Sequence, residues 1–237
     1  MKRLVAGLIG IISICLPISG QELEYKMELG GGVGGCFYLG DANSTPFKDL
    51  GGMGGIMARY IFNPRMAVKG NLAWGHISGN SDHMFFPEDP NSGTPEGGAP
   101  AHIKFSRNIF DLGAQFEFNF WGYGTGNGFK DNKRITPYML AGIGMTFASR
   151  PAEIDAGFNI PLGIGIKYKI KERINIGLEW SVRFTTCDAL DVSNNQGGKL
   201  DAPYGITSGS FKNKDCYSFT QIFLTYDLFP KYRQCNN

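Results

Sequence analysis

The sequence predicts a closed antiparallel transmembrane β-barrel of about eight strands, and three observations predict it. An export signal opens the chain, apolar and polar residues alternate with a period of two from end to end, and the links between alternating segments are long and short in turn. The signal comes first: Lys2 and Arg3 precede an apolar run from Leu4 to Leu16 and the breaker Pro17-Ile18-Ser19-Gly20. This run is too short for a transmembrane helix, which needs roughly 20 apolar residues. Ile14 before Cys15 argues against lipid attachment, so residues 1–20 read as a signal peptide and residues 21–237 as one barrel domain with a short C-terminal tail.

Removing Lys2 and Arg3 leaves 21 of the 23 basic residues against 21 acidic ones, so the exported chain has no net charge and no basic footprint for nucleic acid. Glycine is abundant at 34, aromatics are plentiful and charged residues make up only 19%. Such a composition favours twisted strands over helices.

The alternation defines each segment. In the first, Tyr25, Met27, Leu29, Val33, Phe37 and Leu39 share one phase, and Glu24, Lys26, Glu28 and Cys36 share the other with several glycines. The second, residues 55–62, opposes Ile56, Ala58, Tyr60 and Phe62 to Arg59; the third, 65–77, sets Met66, Val68, Leu72 and Trp74 against Lys69 and Asn71. The fourth is the clearest, because Phe110, Leu112, Ala114, Phe116, Phe118 and Phe120 alternate with Asp111, Gly113, Gln115, Glu117 and Asn119. A helix would scatter those phenylalanines around its circumference. The fifth, 135–147, carries apolar residues in both phases. In the sixth, Ile160, Leu162, Ile164, Ile166, Tyr168 and Ile170 oppose Lys167 and Lys169; in the seventh, Ile174, Ile176, Leu178, Trp180, Val182 and Phe184 oppose Asn175, Glu179, Ser181 and Arg183. The eighth, 217–229, sets Ile222, Leu224, Tyr226 and Leu228 against Gln221, Thr225 and Asp227. A soluble sandwich would also alternate, but its outer face would be polar. Here one phase is too apolar for water, while the other can pair its charges inside a small barrel.

Long links fall at residues 40–51, 79–103, 148–157 and 186–215, and short ones at 63–65 and 171–173. The Gly-rich stretch 121–134 is too long for a tight turn and is a candidate contact surface. An even strand count puts both mature termini in the periplasm.

Motifs for chemistry are few. Gly30, Gly32 and Gly35 have dinucleotide-loop spacing, but Cys36-Phe37-Tyr38-Leu39 continues the strand, so no helix follows to hold a phosphate and no cofactor is expected. These glycines read as close-packing positions. His76, His83 and His102 gather in one region with Ser78 and Asp82, which suggests a hydrolase or acyltransferase facing the outer leaflet, or a metal site. Their spacing matches no ligand motif, so solvated loop residues and, for His76, a membrane-interface position are the expected reading. The acidic and amide residues of the long links lack EF-hand spacing, and no metal is expected there. Of the cysteines that survive processing, Cys187 and Cys216 bracket the last long link and could bridge, Cys36 competes for Cys187 across the barrel closure, and Cys235 stands apart in the tail.

Several stretches together resemble a known family: Phe47-Lys48-Asp49-Leu50, Tyr60-Ile61-Phe62-Asn63-Pro64-Arg65-Met66-Ala67-Val68-Lys69-Gly70, Asn119-Phe120-Trp121-Gly122-Tyr123-Gly124, Thr136-Pro137-Tyr138-Met139-Leu140-Ala141-Gly142 and Lys212-Asn213-Lys214-Asp215. They are similar to the PorG outer-membrane barrels of the Bacteroidetes type IX secretion system, over essentially the whole mature chain. The resemblance implies an outer-membrane anchor, not an enzyme, that holds a periplasmic ring of the PorK and PorN type while cargo is exported. Cys235-Asn236-Asn237 looks familial, whereas Phe229 and Tyr232 stand where relatives are expected to carry cysteine. The residues then expected to dock the ring lie in the periplasmic elements: Trp121, Tyr123, Lys130, Lys133, Arg134, Lys171, Arg173, Lys231, Arg233 and Cys235, with Arg65 in the first turn. Their cations would steer an acidic partner surface, and the barrel wall would contact lipid. Two other functions fit a small barrel: an enzyme acting on lipid or peptide at the outer leaflet, and a passive route for a small solute.

Overall fold

The computed structural model describes residues 24–39, 47, 49–80, 104–125, 132–149, 154–186 and 216–231; the predicted signal peptide, His83, His102, Asp82, Lys130, Cys187, Arg233 and Cys235 lie outside them. Eight strands follow in chain order: β1 (Glu24–Leu39), β2 (Gly51–Asn63), β3 (Met66–Asn80), β4 (Lys104–Asn119), β5 (Ile135–Ser149), β6 (Ile154–Lys171), β7 (Ile174–Thr185) and β8 (Cys216–Lys231). Each pairs antiparallel with the next, and β1 also pairs with β8 from Glu24 opposite Lys231 to Leu39 opposite Cys216. The sheet therefore closes and leaves no edge.

Closure answers the backbone problem that lipid poses, because every strand finds a partner on both sides. The strands run further than the alternation suggested at the end that carries the long links. On β5 and β6 the ladder continues through Ala148 opposite Asp155 and Ser149 opposite Ile154. The link expected to be long at 148–157 thus shrinks to residues 150–153, since backbone pairing does not stop where the apolar pattern stops.

The outward phase is as the sequence predicts, and it stays bare: Val33 is 70% exposed, Ile143 73% and Ile56 62%. Two outward aromatic residues depart from that rule. Phe37 is buried beneath the ring of Phe47, with centroids 4.8 Å apart. Tyr25 is covered by Arg173, whose guanidinium lies 5.5 Å from the ring centre and whose Nε donates to the Tyr25 hydroxyl at 3.1 Å.

The inward phase is the one expected to pair charges inside the barrel, and in the structure it does so unevenly. Its half toward the short turns is charged, with Arg59, Lys69, Lys167, Glu28, Glu117 and Glu179 all buried. Toward the long links it turns largely apolar, where Tyr38, Ile77, Phe105, Ile109, Tyr217 and Phe219 pack together with Cys36 and Met53 beside the buried Arg183–Asp111 pair and Arg107. A second group of Met57, Tyr138, Leu140 and Phe223 explains why the fifth segment is apolar in both phases. Side chains fill the interior, as an eight-strand circumference requires.

The glycines of the first segment serve this narrowness. A Cβ on Gly30 would sit 2.0 Å from the Leu224 carbonyl oxygen across the β1–β8 seam. Gly30 is thus a contact point of two backbones, while Gly35 lies against the Leu50 side chain.

Candidate functional site

At the end of the barrel that carries the short turns, the interior is locked by ion pairs. Glu117 on β4 meets Arg59 Nε at 2.8 Å, Lys167 at 3.2 Å and Lys69 at 3.4 Å. Arg59 also pairs with Glu28 on β1, and Lys69 reaches Glu179 on β7 at 2.6 Å. Strands far apart around the circumference are thereby tied through the centre. Tyr138 adds a neutral hydroxyl that donates to Glu179 at 2.7 Å. Nearer the mouth, Lys169 pairs with Asp227 at 2.5 Å, and Asp227 accepts from Asn175 at 2.5 Å.

The described parts of the β4–β5 connection, residues 120–125 and 132–134, lie at this mouth. Their backbone is pinned by Tyr123 N to the Pro64 carbonyl at 3.0 Å, Lys133 N to Gly122 at 2.7 Å and Gly124 N to Lys133 at 3.1 Å. Tyr123 points into the barrel, donating to Asn175 at 2.9 Å with Lys167 and Lys169 over its ring at 5.2 and 5.3 Å. Burial, then the nearby carboxylates of Glu28 and Asp227, push its phenol up, so it remains a neutral donor. A cavity of about 70 Å³ is left beside it, lined by Glu28, Arg59, Lys169, Asp227 and Pro64 among others.

The expected docking residues therefore divide by position. Tyr123 is half-buried and turns its hydroxyl into the barrel. Trp121 is exposed, with the Lys133 ammonium 4.9 Å from its ring centre. Arg65, Lys133, Arg134 and Lys171 are exposed around the same rim, and Glu172 is the acidic residue among the described turn positions. Arg134 is anchored through Nε to the Thr125 carbonyl at 2.8 Å, and Arg173 bonds the hydroxyls of Tyr25 and Tyr226. Of Lys231 only the backbone is described.

At the opposite end, Cys36 points inward and donates to the His76 carbonyl at 2.9 Å, while Cys216 on the outward phase donates to the Leu39 carbonyl at 2.9 Å. The proposed bridge partner Cys187 lies outside the described residues. His76, read from sequence beside Ser78, makes a different pairing. Its Nε2 lies 3.0 Å from Ser106 Oγ and its Nδ1 3.1 Å from Asn108 Oδ1. Ser106 and Asn108 are remote in sequence and come together only through the β3–β4 register, in which His76 faces Asn108 and Ser78 faces Ser106.

The closed ladder, the exposed apolar wall and the salt-bridged interior define a transmembrane β-barrel of the outer-membrane type. The chain belongs to the DUF6089 family, a domain of unknown function, whose model matches residues 3–237. No curated protein matches the sequence. Solved structures of similar shape include Neisserial surface protein A, at 12% identity and a TM-score of 0.49 over 89% of this chain and 98% of that one. Others are the N-terminal barrel domain of Pseudomonas aeruginosa OprF (11%, TM-score 0.43, 87% and 100% of the two chains) and the attachment invasion locus protein Ail of Yersinia pestis (11%, 0.42, 88% and 100%).

Proposed function

We propose that this barrel is an outer-membrane anchor that works through its ends, and that its turn end, facing the periplasm together with both mature termini, docks a ring of the PorK and PorN type in a type IX secretion machine. One observation carries the reading: a sealed interior beneath a rim of exposed cations. With Arg59, Lys69, Lys167 and Glu117 buried across the lumen, a wide solute path has no room. What remains for a partner is the rim of Arg65, Lys133, Arg134 and Lys171 around Trp121. Clustered like charges on rigid turns favour an acidic protein surface and accelerate its approach. The resemblance of the turn sequences to PorG barrels supplies the identity of that partner.

Photocrosslinking in intact envelopes tests it. A photoreactive residue at Arg65, Arg134 or Lys171 is expected to capture a ring protein, and the triple reversal R65E/R134E/K171E to cut that capture at least tenfold. Capture confined to positions at the loop end would contradict the docking.

A further inference from the structure

The cluster of Ser106, His76 and Asn108 has the connectivity of a hydrolytic triad, and we propose that it is an acyl-ester hydrolase site facing the lipid leaflet at the loop end of the barrel. The contacts are directional. The Asn108 Oδ1 accepts only, so at 3.1 Å it requires the proton to sit on His76 Nδ1. That tautomer leaves the Nε2 lone pair toward the Ser106 hydroxyl at 3.0 Å. A nucleophile, its base and the group that orients the base are thus in hydrogen-bond sequence, the arrangement by which triads are recognised irrespective of chain order.

Its location selects the substrate. His76, Ser106 and Asn108 lie on the outward phase, in line with Trp74 and Phe110, and Ser106 and Asn108 are exposed. On β4 the apolar stripe runs from Phe120 to Phe110. At about 3.4 Å per residue and a tilt near 40°, it spans about 26 Å along the axis, close to the ~25 Å apolar band of such barrels. Asn108 and Ser106 are the next outward positions beyond it. That depth is where acyl chains join their polar heads, and where both an ester carbonyl and water are at hand. An ester-linked acyl lipid can present its carbonyl to Ser106 while its chain lies along Phe110 and Leu112.

The site is also held still. The His76 carbonyl takes the Cys36 thiol from inside, and a Cβ on Gly51 would lie 1.7 Å from the same oxygen, so β2 packs hard against that peptide. Phe47 and Asp49, both at positive φ, shape the turn that brings the Asp49 carbonyl to Ser78 Oγ at 3.4 Å.

The chemistry closes with water as co-reactant. Ser106 Oγ attacks the ester carbonyl as His76 Nε2 takes its proton, and Ser78, opposite Ser106, can exchange its long bond to Asp49 for the developing oxyanion. Collapse breaks the carbonyl–alkoxy bond, and the His76 proton passes to the departing alcohol. Water, deprotonated by His76, then attacks the acyl-serine; the fatty acid leaves and Ser106 regains its proton.

This inference is independent of the docking reading, since it concerns the other end of the barrel. The test uses the full mature chain in phosphatidylethanolamine–phosphatidylglycerol vesicles, with an acyl-labelled phospholipid and, separately, a fluorophosphonate probe. Label mapped to Ser106 by mass spectrometry and fatty-acid release reduced at least 1,000-fold by S106A or H76A, and 10- to 100-fold by N108A, are expected. The S149A variant, altered at an exposed serine on β5, should keep full activity, and circular dichroism should show each variant folded. Absence of label on folded wild-type protein, or release that S106A leaves intact, would overturn the proposal and identify the cluster as a hydrogen-bonded interface patch.

Discussion

Glu117 shows what a single buried residue does in this protein. Three cations from β2, β3 and β6 converge on its carboxylate; Arg59 and Lys69 have second partners in Glu28 and Glu179, whereas Lys167 draws its ion pair from Glu117. Burying such charges is costly, and their mutual pairing offsets that cost only while every member is present. Replacing Glu117 by alanine should therefore lower the unfolding free energy by about 3–5 kcal/mol, the range for breaking a buried pair. Denaturant titration of the barrel in lipid vesicles measures it. The E172A variant, in an exposed turn, should unfold with the wild type. Equal losses in the two would show that the lumen network has no special weight. Tyr123 acts on the same scale, since it holds the described part of the β4–β5 connection at the mouth and shields Lys167 and Lys169.

The strands obey one rule, that a side chain meets lipid or lumen according to its parity. Ile164, 58% exposed on β6, lies near the middle of the apolar wall. An arginine there should cost about 2–4 kcal/mol, falling toward zero for the same change near either rim. Folding titrations of I164R and I170R in vesicles would read the difference; equal effects would mean that the wall does not face hydrocarbon. Parity is also the part of the fold that was legible in the sequence. The phenylalanine ladder of β4 fixed its own orientation, and β2, β3, β6 and β7 followed from similar patterns. Less was legible where both phases are apolar: Tyr138, Leu140, Phe219 and Phe223 fill the lumen, and only the register shows them packed against one another. The strand extensions into residues 148–157 escaped for a related reason, because hydrogen bonding beyond the lipid needs no apolar alternation. Among site residues, the exposed rim cations could be placed from turn positions alone. The Ser106–His76–Asn108 contact could not, since His76 stands 30 and 32 residues from Ser106 and Asn108 in the chain and no spacing motif links them.

At the scale of the whole molecule, the barrel separates two chemistries. The Glu117 network and cationic turns occupy one end, while a largely apolar plug around the Arg183–Asp111 pair lies beneath the outward Ser106–His76–Asn108 cluster at the other. The locked lumen between them keeps the ends rigid with respect to each other, which suits an anchor that must transmit position rather than solute. All of this requires that β1 and β8 join. Hydrogen–deuterium exchange on the protein in lipid vesicles tests that seam directly. Closure predicts that the amides of β1 from Met27 to Cys36, paired with both β2 and β8, exchange as slowly as those of β4 and β5. Rapid exchange along β1 and β8, with slow exchange confined to the central strands, would reveal an open sheet and contradict the account.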